Sequence, residues 1–265
     1  MKQYQAKAGI SVKLFETGDT LSFHGEERFP MQSVYKFHLA LAVYNQINNS
    51  KLSPDDSVFI SSEDLLPDTW SPIRDNYPEG NIYLTLKEII KYTVSHSDNN
   101  GCDILFRWIG GPLKMQQFYQ SEGFKDIQIE ATEEEMHKDW ATQFTNTCTP
   151  NSAVTLLERF FNRDILPDPY QQILWKQMVE STTGANRIKK LLPEGTIVAH
   201  KTGSSGVNEK GITAAANDIG IICLPDGKHL GLAVFITNSM ENSQKNDELI
   251  AKIARLAYDS FTEYK

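Results

Sequence analysis

A nearly unbroken apolar segment close to the N-terminus limits what this chain can fold into. Residues 37–47 include only a few polar side chains, and apolar residues recur on every side of a helical projection. Such a run of eleven residues is too long for an ordinary strand. A helix that is apolar all round must be buried. We therefore expect one central helix with other elements packed around it.

Strand-like patterns lie at both ends of the chain. Residues 10–14 alternate between apolar and polar side chains, and a Thr17-Gly18-Asp19 turn follows, which predicts a β-hairpin with residues 21–23. After Pro193 the pattern predicts strands at 196–202, 212–224 and 229–238 and an amphipathic helix over 249–261. The simplest packing is an α+β fold in which both ends form one five-stranded antiparallel sheet flanked by helices.

The middle of the chain is helical in character. Helical patterns occur at 84–94, 103–109, 152–161 and 171–180. We therefore predict a discontinuous sheet lobe, from residues 1–32 and 181–265, and an all-α lobe from residues 33–180. The cleft between two such lobes is the expected place for an active site.

Composition excludes several classes of function. The net charge of −8 and the scattered basic residues argue against a nucleic-acid partner. The three cysteines form no CxxC pair, and the histidines show no HExxH spacing, so neither a disulfide framework, a metal site nor a cofactor is expected. No stretch of apolar residues is long enough to span a membrane. No signal peptide is visible, and we expect a monomer.

Three short motifs occur in order along the chain, each at a predicted element boundary. They are Ser33-Val34-Tyr35-Lys36, Ser97-Asp98-Asn99 and Lys201-Thr202-Gly203. Each motif alone is expected by chance in many chains of this length. All three together, in this order, are far more specific and indicate acyl transfer by a serine nucleophile.

The first motif predicts an activated serine at a helix N-terminus. Residues i and i+3 share a helix face, so Lys36 would lie beside Ser33. A lysine can act as a base if burial and a nearby cation, here Lys201, lower its pKa. The alternative is a lysine that extends along the surface at the helix start. The backbone N–H of Ser33 and that of Ser204 would form an oxyanion hole.

The other two motifs each have a structural alternative. Ser97-Asp98-Asn99 could simply cap a helix, although Ser97 could also relay a proton to a leaving nitrogen while Asn99 holds a substrate amide. Lys201-Thr202-Gly203 could be the polar end of a strand. In the functional interpretation, Lys201 and Thr202 bind a substrate carboxylate, and Gly203 lets the substrate backbone come close.

These motifs resemble the serine β-lactamase and penicillin-binding protein superfamily, and within it class A β-lactamases of the extended-spectrum branch that includes the PER enzymes. The resemblance runs from Phe29 onward and is strongest at 29–38, 95–100, 182–184, 192–193 and 200–203. It implies hydrolysis of β-lactam antibiotics such as penicillins and cephalosporins through an acyl-enzyme. It also implies a periplasmic or secreted protein.

The resemblance implies one further catalytic group, a glutamate that activates water for deacylation. The segment Thr132-Glu133-Glu134-Glu135-Met136-His137 resembles the pattern of the branch and assigns that role to Glu133. His137 would stand where a water-positioning asparagine is usual. The alternative is a solvated acidic loop, which is the favoured interpretation for Glu134 and Glu135.

Two additional residues are candidates by the same resemblance. Arg187, fourteen residues before Lys201, would support the carboxylate pocket, or else be a surface arginine. Trp70 would be an aromatic gate, or else a partly buried core tryptophan. Because residue 32 is glutamine and not cysteine, efficient carbapenem hydrolysis is not implied.

Two other functions share most of these residues. A penicillin-binding D,D-peptidase would use the same three motifs and would need no deacylating glutamate. A β-lactam sensor would be acylated and remain so, but such sensors usually carry a membrane-spanning module. The antibiotic spectrum does not follow from the sequence, because small shifts near Glu133 and Ser204 change selectivity by ~1–3 kcal/mol.

Overall fold

The two ends of the chain meet in one antiparallel sheet, as predicted. The structure, a computed structural model, describes residues 4–262, so residues 1–3 and 263–265 of the predicted sheet lobe lie outside it. The strands are β1 (Lys7–Leu14), β2 (Thr20–Phe23), β3 (Phe29–Pro30), β4 (Ser57–Ile60), β5 (Ile82–Thr85), β6 (Thr147–Cys148), β7 (Val198–Ser204), β8 (Thr213–Cys223) and β9 (His229–Ser239). The five-stranded sheet has the order β2-β1-β9-β8-β7, so β7 is an edge strand.

Helices fill the middle of the chain and close its C-terminal end. They are α1 (Tyr35–Asn48), α2 (Pro72–Asn76), α3 (Leu86–Ser95), α4 (Asn99–Ile109), α5 (Pro112–Ser121), α6 (Glu133–Lys138), α7 (Pro150–Phe161), α8 (Tyr170–Val179) and α9 (Ser243–Thr262). Helix α1 is the predicted central helix, and it contacts α3, α4, α5 and α8. Its burial on every side follows from its uniformly apolar composition.

The sheet separates two apolar cores. Along β9, Ala233 and Phe235 face the large core that surrounds α1, whereas Leu232, Val234 and Ile236 face a smaller core under α9. Helices α7 and α8 contact the first face of the sheet, and α9 covers the second. Side chains on a strand alternate between its faces, so a strand buried on both sides is apolar throughout. This explains why the C-terminal strands have no polar alternation.

The prediction of an all-α lobe over 33–180 is too strict. This segment contains the β4–β5 pair, whose register runs from Ser57↔Thr85 to Ile60↔Ile82. It also contains β6, which pairs with β3. The helix predicted from residue 84 begins instead at Leu86, because Leu84 belongs to β5 and Thr85 caps α3 through a reciprocal bond with Glu88.

The cysteines behave as small apolar side chains. Cys102 and Cys148 are buried, Cys223 is half-buried, and all three are free thiols. Among residues 4–262, no helix combines the length and the apolar character needed to cross a membrane.

The sheet holds the turn that precedes α1 through one buried side chain. The Asn217 amide on β8 donates to the carbonyl oxygens of Pro30 (2.8 Å) and Met31 (3.1 Å). Its Oδ1 accepts from Ile236 N on the neighbouring strand. Because Asn217 is fully buried, no solvent can replace these partners. This residue thus joins the sheet to the start of the central helix.

Replacing Asn217 by alanine is therefore expected to destabilise the protein. Pro30 O would lose the Asn217 donor, while Met31 O would keep only Val34 N, at a cost of about 1–3 kcal/mol for each group left unsatisfied. Urea unfolding followed by circular dichroism measures the loss. Asn162→Ala is the matched control, since Asn162 is exposed at the end of α7. Equal stability of the two variants would contradict this role of Asn217.

Candidate active site

Ser33 lies where the two lobes meet. It is the central residue of a 3-10 turn, Gln32–Val34, that leads directly into α1, and it is half-buried. The preceding residue, Gln32, has a φ of 47°, a conformation that residues other than glycine seldom adopt. Strained backbone of this kind is concentrated at functional sites. The turn places Ser33 at the N-terminal, positive end of the central helix.

Lys36 is completely buried beside it, so the surface alternative for this lysine is excluded. Its ammonium donates to Ser97 O (2.9 Å) and to Asn99 Oδ1, and lies 3.1 Å from Glu133 Oε1. A buried cation needs acceptors and a compensating charge. The residues that provide them come from two separate segments of the chain, 97–99 and the start of α6, and Lys36 of α1 therefore holds both against the central helix.

Lys201 is a second, fully buried cation in the same site. Its ammonium donates to Ser97 Oγ and to Thr202 O, both at 2.9 Å. Burial, and then the positive charge of Lys36, lower the pKa of Lys201 from 10.5 to about 7. Lys36 and Lys201 thus flank Ser97, one at its carbonyl oxygen and the other at its hydroxyl.

The Ser97-Asp98-Asn99 segment caps a helix and also lines the cleft, so the capping interpretation does not exclude the functional one. Asp98 is the N-cap of α4, accepts from Gly101 N (2.7 Å) and is buried. Ser97 has a φ of 58° and points its hydroxyl toward Lys201. Asn99 also donates from Nδ2 to Thr69 Oγ1 (2.7 Å).

The three consecutive glutamates differ sharply in their surroundings. Glu133 is only 4% exposed and faces Lys36, whereas Glu134 and Glu135 are exposed. Glu135 forms a capping box with Thr132 at the start of α6. The solvated-loop interpretation therefore describes Glu134 and Glu135 and does not describe Glu133.

Asp103 anchors this segment, a role that the motif analysis did not find. Its two carboxylate oxygens accept from Glu133 N (2.8 Å) and Glu134 N (2.9 Å). Burial, and then the charge of Glu133, raise the pKa of Asp103 to about 6. Asp103 lies four residues after Asn99, on the same face of α4, and this spacing was the signal available in the sequence. His137 is exposed, and its Nδ1 lies 2.7 Å from Glu133 O.

Strand β7 presents its free edge to the cleft. Ser205 N donates to Ala215 O across the ladder, so the N–H of the preceding residue, Ser204, points away from β8. Gly203 of this strand packs closely against the turn that carries Ser33. A Cβ at this position would overlap Met31 O and lie 3.1 Å from Val34 N. The close approach of the protein's own backbone is therefore enough to require glycine here.

Arg187 is a buried member of the site rather than a surface arginine. Its guanidinium pairs with Asp247 of α9 (2.7 Å) and donates to Ser204 Oγ (2.7 Å). It also donates to the carbonyl oxygens of Gly203 (3.1 Å) and Asn217 (2.7 Å). These bonds fix the outer end of β7, where the cleft begins.

Trp70 is 59% exposed at the rim of the cleft, so it is not a core tryptophan. Its Nε1 donates to His96 O, and its own carbonyl oxygen accepts from Asn99 N, both at 2.9 Å. The indole is thereby tied to the segment that carries Ser97.

The cleft has two arms that meet at Ser33. One arm, of about 340 Å³, is lined by Trp70, Thr202 and Arg187, and the other, of about 430 Å³, by Glu133 and His137. Ser33, Asn99 and Ser204 line both. A larger depression of about 560 Å³ runs along α9, but none of the residues of the three motifs lines it. The chemistry is therefore concentrated at the junction of the two arms.

Comparison with known proteins agrees with this geometry. Residues 1–261 match the model of the β-lactamase enzyme family. The chain belongs to this family. It is 44% identical to β-lactamase VEB-1 of Pseudomonas aeruginosa over 98% of this chain and 87% of that protein. It is 42% identical to the extended-spectrum β-lactamase PER-1 of the same organism, over 96% of this chain and 82% of that protein.

Solved structures show the same relationship. The crystal structure of TLA-3 extended-spectrum β-lactamase superposes with a TM-score of 0.97 at 51% identity, over 98% of this chain and 94% of that one. The protein is thus a class A serine β-lactamase with the predicted α+β fold. The family resemblance and the hydrolase activity that it implied are confirmed.

In this β-lactamase, removal of the Asp103 carboxylate is expected to slow turnover. Asp103→Ala leaves the N–H groups of Glu133 and Glu134 without acceptors, which costs about 1–3 kcal/mol for each group that stays buried. The start of α6 should then loosen, and kcat for a chromogenic cephalosporin should fall. Thermal unfolding of the same variant separates this local effect from global loss of structure. An unchanged kcat would contradict the anchoring role of Asp103.

The lowered pKa of Lys201 predicts a pH dependence of substrate capture. The ammonium form, which attracts a carboxylate, is lost as the pH rises through about 7 in the free enzyme. Because kcat/KM reports groups of the free enzyme, it should decline above this pH, well below the ordinary lysine range. A methyl ester of the same substrate, which has no carboxylate, should show a weaker decline, since only the hydrogen bond from Lys201 to Ser97 then depends on the ammonium. A flat kcat/KM profile up to pH ~9, far above that pKa, would show that Lys201 does not titrate here.

Proposed function

We propose that Ser33 is the nucleophile of this β-lactamase and that Glu133 activates the water that releases the acyl group. The observation that carries the proposal is the buried contact between Glu133 and Lys36, 3.1 Å apart at the cleft junction that Ser33 also lines. A D,D-peptidase or a β-lactam sensor needs no carboxylate here to activate water for deacylation. The contact therefore favours a hydrolase that completes its cycle.

In acylation, Ser33 Oγ attacks the carbonyl carbon of the β-lactam ring while its proton passes to the amine of Lys36, which has first given one of its own protons to the adjacent Glu133 carboxylate. The C–N bond of the ring then breaks. The ring nitrogen receives its proton from the Ser97 hydroxyl, which is replenished through the hydrogen bond from Lys201. The product of this half-reaction is an ester between the opened lactam and Ser33. Glu133 releases the proton that it took from Lys36, and Lys201 regains one, before deacylation begins.

The oxyanion that forms on the carbonyl oxygen is stabilised by two backbone donors. One is the Ser33 N–H at the start of α1, and the other is the Ser204 N–H on the free edge of β7. Loss of one such donor typically costs ~3 kcal/mol of transition-state stabilisation. The packing of Gly203 against Met31 supports this role, because it brings the edge strand close to the serine turn.

In deacylation, Glu133 takes a proton from a water molecule whose oxygen attacks the ester carbonyl. The ester C–O bond breaks, Ser33 Oγ recovers a proton, and the product leaves with a new carboxylate. Glu133 is held for this step by Asp103 at its backbone N–H and by Lys36 at its side chain. His137 lies on the same helix, with Nδ1 close to Glu133 O, and contributes to the wall around the water.

The substrate carboxylate is bound by Lys201 and Thr202, with the buried guanidinium of Arg187 adding positive charge behind Ser204. Asn99 contacts the amide of the acyl side chain, and Trp70 borders the cleft as a gate. No step requires a metal or a cofactor.

We further propose an extended spectrum that includes cephalosporins, on the strength of the extended-spectrum relatives at 42–51% identity. All the groups of the mechanism belong to one chain, which supports a monomeric enzyme. Localisation in the periplasm, or secretion, is proposed from the family alone.

The role of Glu133 is tested by its amide variant. Glu133→Gln should still be acylated but should deacylate slowly, because an amide cannot accept the proton of water. Intact-protein mass spectrometry with a penicillin should show an adduct on Ser33 that persists, while kcat falls by at least about a hundredfold, the lower range of general base catalysis. Ser33→Ala should form no adduct.

Glu134→Gln is the matched control, since it makes the same change one residue away on an exposed side chain. It should turn over as the parent enzyme does. If Glu133→Gln retained its kcat, or if Glu134→Gln stalled instead, the assignment of the deacylating base would be wrong.

A further inference from the structure

One buried carboxylate has no part in the proposed mechanism. Among residues 4–262, four acidic side chains are buried, at Asp98, Asp103, Glu133 and Asp218. Asp98 caps α4, Asp103 anchors the start of α6, and Glu133 faces Lys36. Asp218 lies on β8 at zero exposure and lines neither arm of the cleft. A carboxylate buried in this way is costly unless its surroundings compensate for lost solvation, so its partners indicate its role.

Asp218 bonds two segments that border the cleft. Its Oδ1 lies 3.0 Å from His200 Nδ1, and Ile188 N donates to its Oδ2 at 3.2 Å. His200 directly precedes Lys201 on β7. Ile188 directly follows the turn over 183–187, which lines the arm of about 340 Å³. Asp218 therefore ties this turn to the strand that carries Lys201.

The 183–187 turn packs directly on the His200–Asp218 pair. Gly184 in this turn has a φ of 75°, and a Cβ there would lie 2.3 Å from Thr202 Cγ2 and 3.2 Å from His200 Cε1. The hydroxyls of Thr183 and Thr202 are hydrogen-bonded at 2.8 Å. One wall of the arm that is proposed to bind the carboxylate thus stands on the buried pair.

The hydrogen bonds of His200 determine which partner carries charge. The ring is fully buried, and within the described part of the chain its Nε2 forms no hydrogen bond. A cationic ring would bury a charge and also an N–H without an acceptor, and this penalty is larger for a charged group than for a neutral one. A neutral ring with its proton on Nδ1 donates that proton to Asp218. This geometry assigns the neutral ring, so Asp218 keeps its negative charge.

The two cations next to this pair do not neutralise Asp218 by contact. Lys189 is half-buried and donates to Val179 O at 3.2 Å, and the described residues include no ion pair between it and Asp218. Arg187 pairs instead with Asp247 at 2.7 Å. The charge of Asp218 therefore remains available to more distant groups.

Asp218 acts on Lys201 through the sheet and not by contact. Residues paired across neighbouring strands share a face of the sheet. Asp218 pairs with Val234, which faces the small core under α9, whereas Lys201 pairs with Ile219, which faces the large core around α1. The two charges thus lie on opposite faces of one edge of the sheet, where the interior is dry and Coulombic attraction is strong.

The other charged groups around Lys201 are already matched. Burial and the Lys36 ammonium on α1 lower the pKa of Lys201, whereas Asp218 on β8, Glu133 on α6 and Cys102 on α4 raise it. Glu133 has Lys36 as its partner, 3.1 Å away. Burial raises the pKa of the Cys102 thiol, which therefore stays neutral. Asp218 is thus the carboxylate whose charge is left to offset that of Lys201.

We propose that Asp218, oriented by His200, is a positioning residue for substrate capture, which holds the 183–187 turn and offsets the charge of Lys201 from behind the sheet. The inference rests on the proposed function, because it assumes that Lys201 binds the substrate carboxylate. Asp218 touches no reacting atom. It acts through the turn and through Lys201.

The role of the charge is tested with Asp218→Asn in the intact enzyme. The amide can accept from Ile188 N and donate to His200 Nδ1 in the other tautomer of the ring, so the bonds remain while the charge is lost. The decline of kcat/KM with rising pH should then move about one pH unit lower, because a neighbouring negative charge no longer stabilises the ammonium of Lys201. Steady-state kinetics with a chromogenic cephalosporin as a function of pH measures this shift.

Two controls separate the loss of charge from a general loss of structure. Asn246→Ala removes another buried side chain of the sheet lobe, which bonds Ser239 Oγ at 2.8 Å, and it should lower the melting temperature without moving the decline. Asp164→Asn makes the same change at an exposed position after α7 and should do neither. If Asp218→Asn failed to fold, Asp218→Ser would replace it, since a serine hydroxyl can also accept from Ile188 N.

The role of the bonds is tested with Asp218→Ala, which removes the acceptor as well as the charge. The comparison is made at the acidic end of the pH range, below the decline in every variant, where Lys201 is charged throughout. There Asp218→Ala should have a severalfold lower kcat/KM than Asp218→Asn, with kcat little changed, because the 183–187 turn contributes to binding and not to the chemical steps.

The outcomes distinguish this inference from the proposed function. If the parent enzyme hydrolysed no β-lactam, both would fail. If the parent hydrolysed β-lactams but the decline was absent, or if Asp218→Asn left it at the same pH, the charge role of Asp218 alone would be overturned. If Asp218→Ala matched Asp218→Asn at acidic pH, its role in holding the turn would be overturned.

Discussion

The buried ammonium of Lys36 is the constraint on which the site depends. A cation at zero exposure is tolerable only if its partners compensate for lost solvation. Its partners are Ser97 O and Asn99 Oδ1 from one segment and the Glu133 carboxylate from another. Breaking such a buried set typically costs about 3–5 kcal/mol, which is at least about a fifth of the stability of an ordinary domain. Correct folding of the central helix is thus coupled to correct assembly of the catalytic groups.

Lys201, the second buried lysine, adds a positive charge that no directly bonded carboxylate compensates. Lys36 has a carboxylate partner, but Lys201 donates only to a hydroxyl and a carbonyl oxygen. The lowered pKa of Lys201 is the consequence. In the proposed mechanism a substrate carboxylate supplies the missing anion and stabilises the ammonium form of Lys201. Arg187 is a third cation near this site, but its charge is already paired with the Asp247 carboxylate.

Features that depend on residues close together in the sequence were predicted, whereas contacts between residues far apart in the sequence mostly were not. The three motifs, the central helix and the terminal strands follow from spacing and periodicity within short windows. The contact of Asp103 with Glu133, by contrast, joins residues thirty positions apart. Asn217 and Pro30 are separated by 187 positions. The spacing of Asp103 from Asn99 is visible in the sequence, but no local pattern encodes the contact of Asp103 with Glu133 or that of Asn217 with Pro30, so both roles were missed.

The same reasoning applies to the β4–β5 pair, which escaped prediction because its strands are short. Only Ile60 and Leu84 of the pair are buried, so the alternation that reveals a strand is reduced to single residues. Leu84 also continues the apolar spacing of α3 and was therefore assigned to the helix. In the folded chain Thr85 is the N-cap of α3, because its side chain accepts from Glu88 N. The helix therefore begins after Thr85, and Leu84 belongs to the strand.

Two residues that border the nucleophile have a strained backbone, and the sheet holds them in that conformation. Gln32 and Ser97 both adopt positive φ, a conformation that costs ~1–3 kcal/mol for such residues. Each is held by groups outside its own turn. Asn217 and the Gly203 backbone brace the segment before Ser33, and Lys201 holds the hydroxyl of Ser97. Since all three bracing residues come from strands β7 and β8, the rigid sheet keeps the catalytic turns of the helical lobe in a geometry that they would not adopt alone.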